Sequence, residues 1–443
     1  MGKVSRAWLA GGVVLPLLAA GAWCWLYAAV HWPDVAHHPV AFLEPPDPSN
    51  RIGPGYPPYR SEPVNGGFEI LDRSGRLLVL RGAALEARPE APPPLGKLRR
   101  RGINLVRLEI PWRDLEPRPG HPSRDTLAHV GRLLDEAGRH GVGVLLASPP
   151  WKDTARHPRK GLPDWAFRIP PVGTLGEISA GARFLADFLE GVWTPDQLSL
   201  QDHLMGAWVT LARTVRNHPS LLGYEVTPGP ACPSPPLSWF SVDATACHTA
   251  LQGFRSRFVA TLRAADGKAL VFANARPAGT FVDGLVIWAP PPREGVGLAK
   301  AKSEMALEHG APVVFTGSSL TAEILSTRDL DAAWASWLLP EKTVLAATPH
   351  PFPERIAGRP VSFEIRPAAA PDTDFRFTFR QGEVTAETFL FMPGGESRWS
   401  VKVSDGRVHW SAGDPDVLVW ITNPTVHTHT MSARTRSDND GGH

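Results

Sequence analysis

Arg107, Glu109 and Glu225 offer this chain its clearest chance of buried ionic chemistry. Arg107 and Glu109 stand two apart in the apolar run Ile103–Ile110, so on a strand they share one face. Glu225 lies at the end of a second such run, Leu221–Val226, with the parity of Gly229 further along. A buried guanidinium without a counter-ion is costly, which predicts an Arg107–Glu225 or Arg107–Glu109 ion pair. A purely structural pair and a ligand-binding role are both open. Acid–base chemistry would need further free carboxylates, imidazoles or amides. Glu323, Asp164 and Asp153 are candidates, although each also suits an ordinary solvated or capping role. Cys232 and Cys247 would pair in an oxidising compartment; two free thiols is the alternative, because spacing says nothing about Cα separation. His427-Thr428-His429 reads as a weak metal chelate or part of a solvated tail. The sequence has no convincing metal-ligand spacing, glycine-rich phosphate loop or Gly-x-Ser-x-Gly elbow, so neither metal nor cofactor is expected.

The elements that must position these groups follow from periodicity. Arg76–Ala83, Ile103–Ile110, Gly143–Ala147, Leu221–Val226, Ala269–Ala273, Gly284–Trp288 and Pro312–Thr316 read as buried strands, with Ala335–Leu339 as an eighth. Amphipathic segments such as Arg124–His140 and Leu200–Asn217 lie between them. Strand then helix, repeated, predicts a (β/α)8 barrel (a TIM barrel) over residues 64–345. Beyond it, turn-bounded alternating runs from Pro360–Ile365 to Val417–Ile421 predict a C-terminal antiparallel β-sandwich over 346–421. The polar stretch 422–443 reads as a disordered tail.

Residues 1–30 hold an uncharged run from Ala7 to Val30 behind Lys3 and Arg6, long enough to cross the roughly 30 Å hydrocarbon core as a transmembrane helix. The flanking charges set the N-terminus inside and the body periplasmic or extracellular. A cleaved signal peptide, with Ala20-Gly21-Ala22 as its site, would instead make the protein secreted. The Pro-rich stretch 31–63 is an extended linker. With 46 basic and 44 acidic residues the net charge is +2, too small to recruit nucleic acid.

Barrels of this class build their sites at the C-terminal strand ends. Three of those ends here are Pro-rich: Ser148-Pro149-Pro150, Thr227-Pro228-Gly229-Pro230 and Ala289-Pro290-Pro291-Pro292. Proline brings neither a side-chain acid or base nor an N–H. Trp112, Trp151, Trp288 and Trp337, near strand ends or loops, are candidate platforms for a ring-shaped or lipid ligand, or packing residues.

Phe68-Glu69-Ile70-Leu71-Asp72-Arg73-Ser74-Gly75-Arg76, Leu80-Arg81-Gly82, Gly102-Ile103-Asn104-Leu105-Val106-Arg107-Leu108 and Trp112-Arg113-Asp114-Leu115-Glu116-Pro117 resemble family 5 glycoside hydrolases. Gly161-Leu162-Pro163-Asp164-Trp165-Ala166, Leu200-Gln201-Asp202 and Pro351-Phe352-Pro353-Glu354-Arg355 are similar to the endoglycoceramidase branch. The resemblance, spanning about Phe68 to Ile421, implies retaining hydrolysis by two glutamates facing one glycosidic bond. It places the acid/base at Gly229, preceded by Pro228 where the family has Asn, and the nucleophile at Gly317. Pro149 and Pro290 follow the third and sixth strands, where the family has polar motifs. Arg107 matches the Arg that orients the nucleophile.

Three readings result. The first is a membrane-anchored, glycoside-hydrolase-like protein that binds a glycan or glycolipid without catalysis. The second is an active retaining β-glycosidase with relocated carboxylates. The third is a structural cell-envelope protein whose barrel mouth is closed by the Pro turns.

Overall fold

A computed structural model describes residues 59–64, 67–88, 93–149, 161–168, 173–191, 194, 196–226, 232, 244–274, 282–288, 312–316, 336–365, 373–382 and 384–436. The expected N-terminal span, residues 31–58 of the expected linker, Trp151, Pro228, Gly229, Pro290, Gly317, Asp153 and Glu323 lie outside these residues; the last five residues of that linker, 59–63, instead belong to the strand Tyr59–Val64, which pairs with Gly67–Asp72. No helix among the described residues is long and apolar enough to cross a membrane.

The chain opens with β1 (Tyr59–Val64), β2 (Gly67–Asp72) and β3 (Leu77–Leu78). Eight parallel strands then close a barrel: β4 (Arg81–Glu86), β5 (Leu105–Glu109), β6 (Gly143–Ala147), β7 (Leu221–Val226), β8 (Leu270–Ala273), β9 (Gly284–Trp288), β10 (Val313–Thr316) and β11 (Ser336–Pro340). Alternate residues of these strands face two different cores. Leu105, Leu145, Leu222, Leu270, Phe272, Val286, Val314 and Leu338 fill the barrel interior. Ala83, Leu85, Val106, Leu108, Val144, Leu146, Tyr224 and Val271 pack outward. Burial on both faces is why these segments read as unbroken apolar runs in the sequence.

The helix Arg124–Arg139 begins where the Ser123 hydroxyl accepts the Thr126 N–H at 3.2 Å, and it buries Val130, Leu133, Leu134 and Ala137 against the strands. The helix Leu200–Val215 starts with a reciprocal capping box between Ser199 and Asp202. It stops just before Asn217, which adopts a left-handed conformation (φ 67°). In β7, a Cβ on Gly223 would lie 2.1 Å from the Leu270 carbonyl oxygen, so only glycine lets β7 and β8 approach this closely.

After the barrel come β12 (Phe352–Ile356), β13 (Gly358–Ile365), β14 (Phe375–Gln381), β15 (Thr388–Phe391), β16 (Trp399–Val403), β17 (Arg407–Trp410), β18 (Val417–Ile421) and β19 (Thr428–Thr435). They form two sheets, ordered β1-β2-β3-β12-β15-β18-β17 and β13-β14-β19-β16. Leu77, Phe352, Leu390 and Trp420 from one sheet share a core with Phe363, Phe377, Trp399 and Met431 from the other. This is a β-sandwich, and two sequence expectations change with it. β1–β3 precede the barrel in the chain but pair into the sandwich sheet, through β3 and β12. Part of the stretch expected to be a disordered tail is β19, which lies between β14 and β16. His429 is accordingly fully buried rather than solvated or metal-binding: its Nδ1 meets Asp405 Oδ1 at 2.9 Å and its Nε2 meets Gln381 Oε1 at 2.9 Å.

Barrel and sandwich are joined by a buried ion pair. Arg99 contacts both carboxylate oxygens of Glu354, the Nη2–Oε2 bond measuring 3.0 Å, and its Nε donates to Asp414 at 2.6 Å. A two-pronged guanidinium–carboxylate contact restricts orientation as well as distance, so the sandwich is held in one pose on the barrel.

Candidate functional site

Counting from β4, the fourth strand is β7 and the seventh is β10. They end at Val226 and Thr316, so Gly229 follows the fourth strand and Gly317 the seventh directly. The sixth strand, β9, ends at Trp288, and Pro290 follows it.

Strand register places one layer of residues at the barrel mouth. Glu86 pairs with Glu109, Glu109 with Ala147, Ala147 with Glu225 and Glu225 with Phe272. Register partners on adjacent parallel strands project to the same side, so three carboxylates enter the mouth in this layer. The layer below runs Ala84, Arg107, Leu145, Gly223, Leu270. Ala84 and Gly223 are small, which leaves room for a guanidinium inside the barrel.

Arg107 uses that room and reaches up to both expected partners. Its Nε donates to Glu225 Oε2 at 2.6 Å and its Nη2 to Glu225 Oε1 at 3.0 Å, while Nη1 contacts Glu109. Nη2 also lies 3.4 Å from the Ser148 carbonyl. Burial would lower the Arg107 pKa, but the charges and hydrogen bonds of Glu225 and Glu109 raise it above its ordinary value. Glu225 is almost fully enclosed and committed to Arg107.

Glu109 differs, because its side chain is 22% exposed. Burial raises its pKa; Arg107 pulls it down, and the neighbouring carboxylates Glu225 and Glu86 push it up again. Glu86 is 35% exposed and accepts the Arg88 Nε at 2.9 Å. Two solvent-reachable carboxyls thus stand side by side at the mouth, the Glu109 pKa raised by burial and by its acidic neighbours. Sequence reading missed Glu86 because it ended that strand at Ala83. The signal was there: the even-numbered small residues Gly82 and Ala84 continue the inward parity to Glu86.

The remaining sequence candidates stand in four different places. Trp112 is fully buried beneath the loop after β5, donating from Nε1 to Glu116 Oε2 at 2.8 Å and lying edge-on to Trp165. It builds the scaffold instead of presenting a face to ligand. Trp337 stands near the start of β11, paired with Arg81 at the start of β4, and is therefore at the floor of the barrel. It is buried there with the Arg81 guanidinium 6.0 Å from its ring centroid. Trp288 ends β9 at the mouth, where strand position alone places it. Pro149 is buried two residues past β6, where a Cβ on Gly161 would meet its ring at 3.7 Å, and Asp164 is exposed at the start of a short 3-10 turn. Among the described residues no cluster of His, Cys, Asp or Glu is arranged to hold a metal ion.

Cys232 and Cys247 form a disulfide, with Cα atoms 5.8 Å apart. It ties Cys232, after β7, to the first turn of the helix Ala244–Ala265 across a sequence separation of 15. Loop-closure entropy gives such a cross-link about 3 kcal/mol. Reduction, or the Cys232→Ser/Cys247→Ser pair, is therefore expected to lower the urea midpoint of the barrel transition by a comparable amount of free energy. An unchanged midpoint would contradict a native disulfide.

No protein-family model matches the chain, and no curated protein does. Solved structures do. Endo-glycoceramidase II from Rhodococcus sp., as its lactosyl-enzyme intermediate, superposes with a TM-score of 0.60 at 18% identity, over 83% of this chain and 99% of that one. The same enzyme has been solved with ganglioside GM3. An endogalactoceramidase gives 0.59 at 17% identity, over 86% and 100%. Sterylglucosidase 1 from Cryptococcus neoformans gives 0.56 at 12%, over 87% and 97%. The fold of this chain, barrel with sandwich, is that of endoglycoceramidase-like glycoside hydrolases.

Proposed function

We propose that the barrel mouth binds a glycan or glycolipid and does not hydrolyse it. The observation that carries this reading is the strand count: the fourth and seventh barrel strands run into Thr227-Pro228-Gly229-Pro230 and Gly317, which supply no carboxylate where the resemblance requires two. A positioned general acid alone contributes about 10²–10⁴-fold, and the covalent route contributes more, so losing both leaves little turnover. Glu225 cannot substitute while both its oxygens are held by Arg107. The sugar-bearing complexes of structural neighbours make a glycan or glycolipid the ligand class to test first. The disulfide suits an oxidising compartment, in keeping with a body outside the cytoplasm, held there by residues 1–30 as a membrane anchor or released if they are cleaved.

A second reading, a glycosidase with relocated carboxylates, is favoured by one observation: Glu86 and Glu109 are register neighbours, both reachable from solvent. Full-length protein in detergent, assayed against glycosphingolipids and aryl β-glycosides with a glycan array alongside, separates the readings. Binding without turnover is the expected result. Turnover lost in Glu109→Gln would establish the second reading, and neither binding nor turnover would leave a structural role.

A further inference from the structure

The sandwich carries a separate cleft, about 400 Å³ in volume, where the turn after β15 meets the turn after β17. The two turns are locked together. The Met392 N–H donates to the Asp416 carbonyl at 2.6 Å, and the Gly394 N–H donates to Asp416 Oδ1 at 2.8 Å. The Trp399 indole N–H donates to the Pro393 carbonyl at 2.9 Å. A Cβ on Gly395, which has φ 59°, would lie 2.5 Å from the Pro415 carbonyl oxygen, so the turns touch backbone to backbone. The cleft is therefore pre-formed, and the Arg99–Asp414 contact beside it ties this corner to the barrel.

Its lining combines one aromatic ring with oxygen-bearing groups. Trp410, the last residue of β17, packs partly on the sandwich core and partly borders the cleft. Glu396, Ser397, Ser411 and Asp416 share the lining, one Asp416 oxygen already accepting the Gly394 N–H. The Ser397 hydroxyl donates to the Gly394 carbonyl at 3.0 Å, which leaves its lone pairs to accept. An indole offers an electron-rich face to polarised C–H groups, and carboxylates accept hydroxyl protons strongly. A pyranose satisfies both needs at once, with C–H groups on one ring face and hydroxyls around the edge. The volume is at the small end for ligand sites, enough for one or two sugar rings and too little for a lipid chain as well.

We propose that this cleft is a carbohydrate-binding site, in which a pyranose stacks on Trp410 and donates hydroxyl hydrogen bonds to Glu396 and Asp416. It does not depend on what occupies the barrel mouth. The test is ¹⁹F NMR of full-length protein carrying 5-fluorotryptophan, titrated with methyl β-D-glucopyranoside and with cellobiose. The Trp410 signal is identified by its loss in Trp410→Phe. A saturable shift of that signal at millimolar sugar is expected, with the midpoint raised about tenfold in Glu396→Gln, the loss of one charge-assisted acceptor. Sorbitol, which has hydroxyls but no ring face, should leave the signal unmoved. No saturable shift, or an equal shift with sorbitol, overturns the proposal. The signal of Trp288, which ends β9 at the mouth, reports the mouth separately, so failure here is distinguishable from failure of the mouth to bind.

Discussion

Glu225→Ala lowers the stability of the barrel by roughly 3–5 kcal/mol, the range for breaking a buried ion pair from one side. Arg107 is 8% exposed, and Glu225 takes two of its donors, Nε and Nη2, in a parallel arrangement. Removing the carboxylate leaves those donors inside a barrel where Leu145 and Leu270 share the layer of Arg107 and Leu105 and Leu222 lie below it, with no water in bulk to replace it. Glu109 still neutralises the charge in part, through Nη1. Replacing both partners with apolar residues, Arg107→Met with Glu225→Leu, removes the uncompensated charge and is expected to recover most of the loss. Urea midpoints of Arg107→Met, Glu225→Leu and the double variant measure the coupling. A loss below about 1 kcal/mol in Glu225→Ala would mean that the pair is solvated like a surface salt bridge.

Glu116→Ala is expected to cost a similar amount near pH 6 and to remove a pH dependence. Glu116, 2% exposed, accepts the Trp112 indole N–H at 2.8 Å and the Gly120 backbone N–H at 2.7 Å, and it meets His203 Nδ1 at 2.8 Å. Asp196 and Thr194 face the other ring nitrogen of His203, both at 3.1 Å, and Trp165 packs beside the ring at 4.9 Å. Burial would lower the His203 pKa, but the hydrogen bond and charge of Glu116, then those of Asp196, outweigh it and raise the pKa. A histidine raised in the folded state stabilises it fully below the unfolded value, about 6.5, and that contribution disappears as pH rises through the folded value. Wild-type melting temperature should therefore fall between mildly acidic and mildly alkaline buffer by more than that of Glu116→Ala. Equal falls in the two proteins would show that His203 is not the titrating group. Because this network fixes Trp112 and Trp165 under the loop after β5, its loss should also loosen the rim of the mouth.

The barrel was legible because doubly buried parallel strands leave continuous apolar runs, and β5 to β10 lie within the runs read from sequence. Parity within a strand likewise brought Arg107, Glu109 and Glu225 onto one inward face before any coordinates. β19 was not legible. Thr428–Thr435 has only Met431 and Ala433 as apolar inward residues, and its His429 is buried by Asp405 and Gln381, 24 and 48 residues away. Nothing local marks such a strand. Trp112 opens the short helix Trp112–Leu115 after β5, and Trp337 is the second residue of β11. Which way each indole points depends on packing, in one case under a loop and in the other at the opposite end of the barrel.

Residue identity alone sets what chemistry is absent: glycine and proline at positions 228, 229, 230 and 317 cannot offer a carboxylate in any fold. Tertiary structure decided what is present, by setting Glu86 beside Glu109, by enclosing Glu225 against Arg107, and by folding two glycine turns into a cleft around Trp410. The physical reason is one of range. The absence of a functional group is a property of the side chain, whereas proximity, burial and pKa arise between residues that the chain brings together only after strands far apart in sequence have paired.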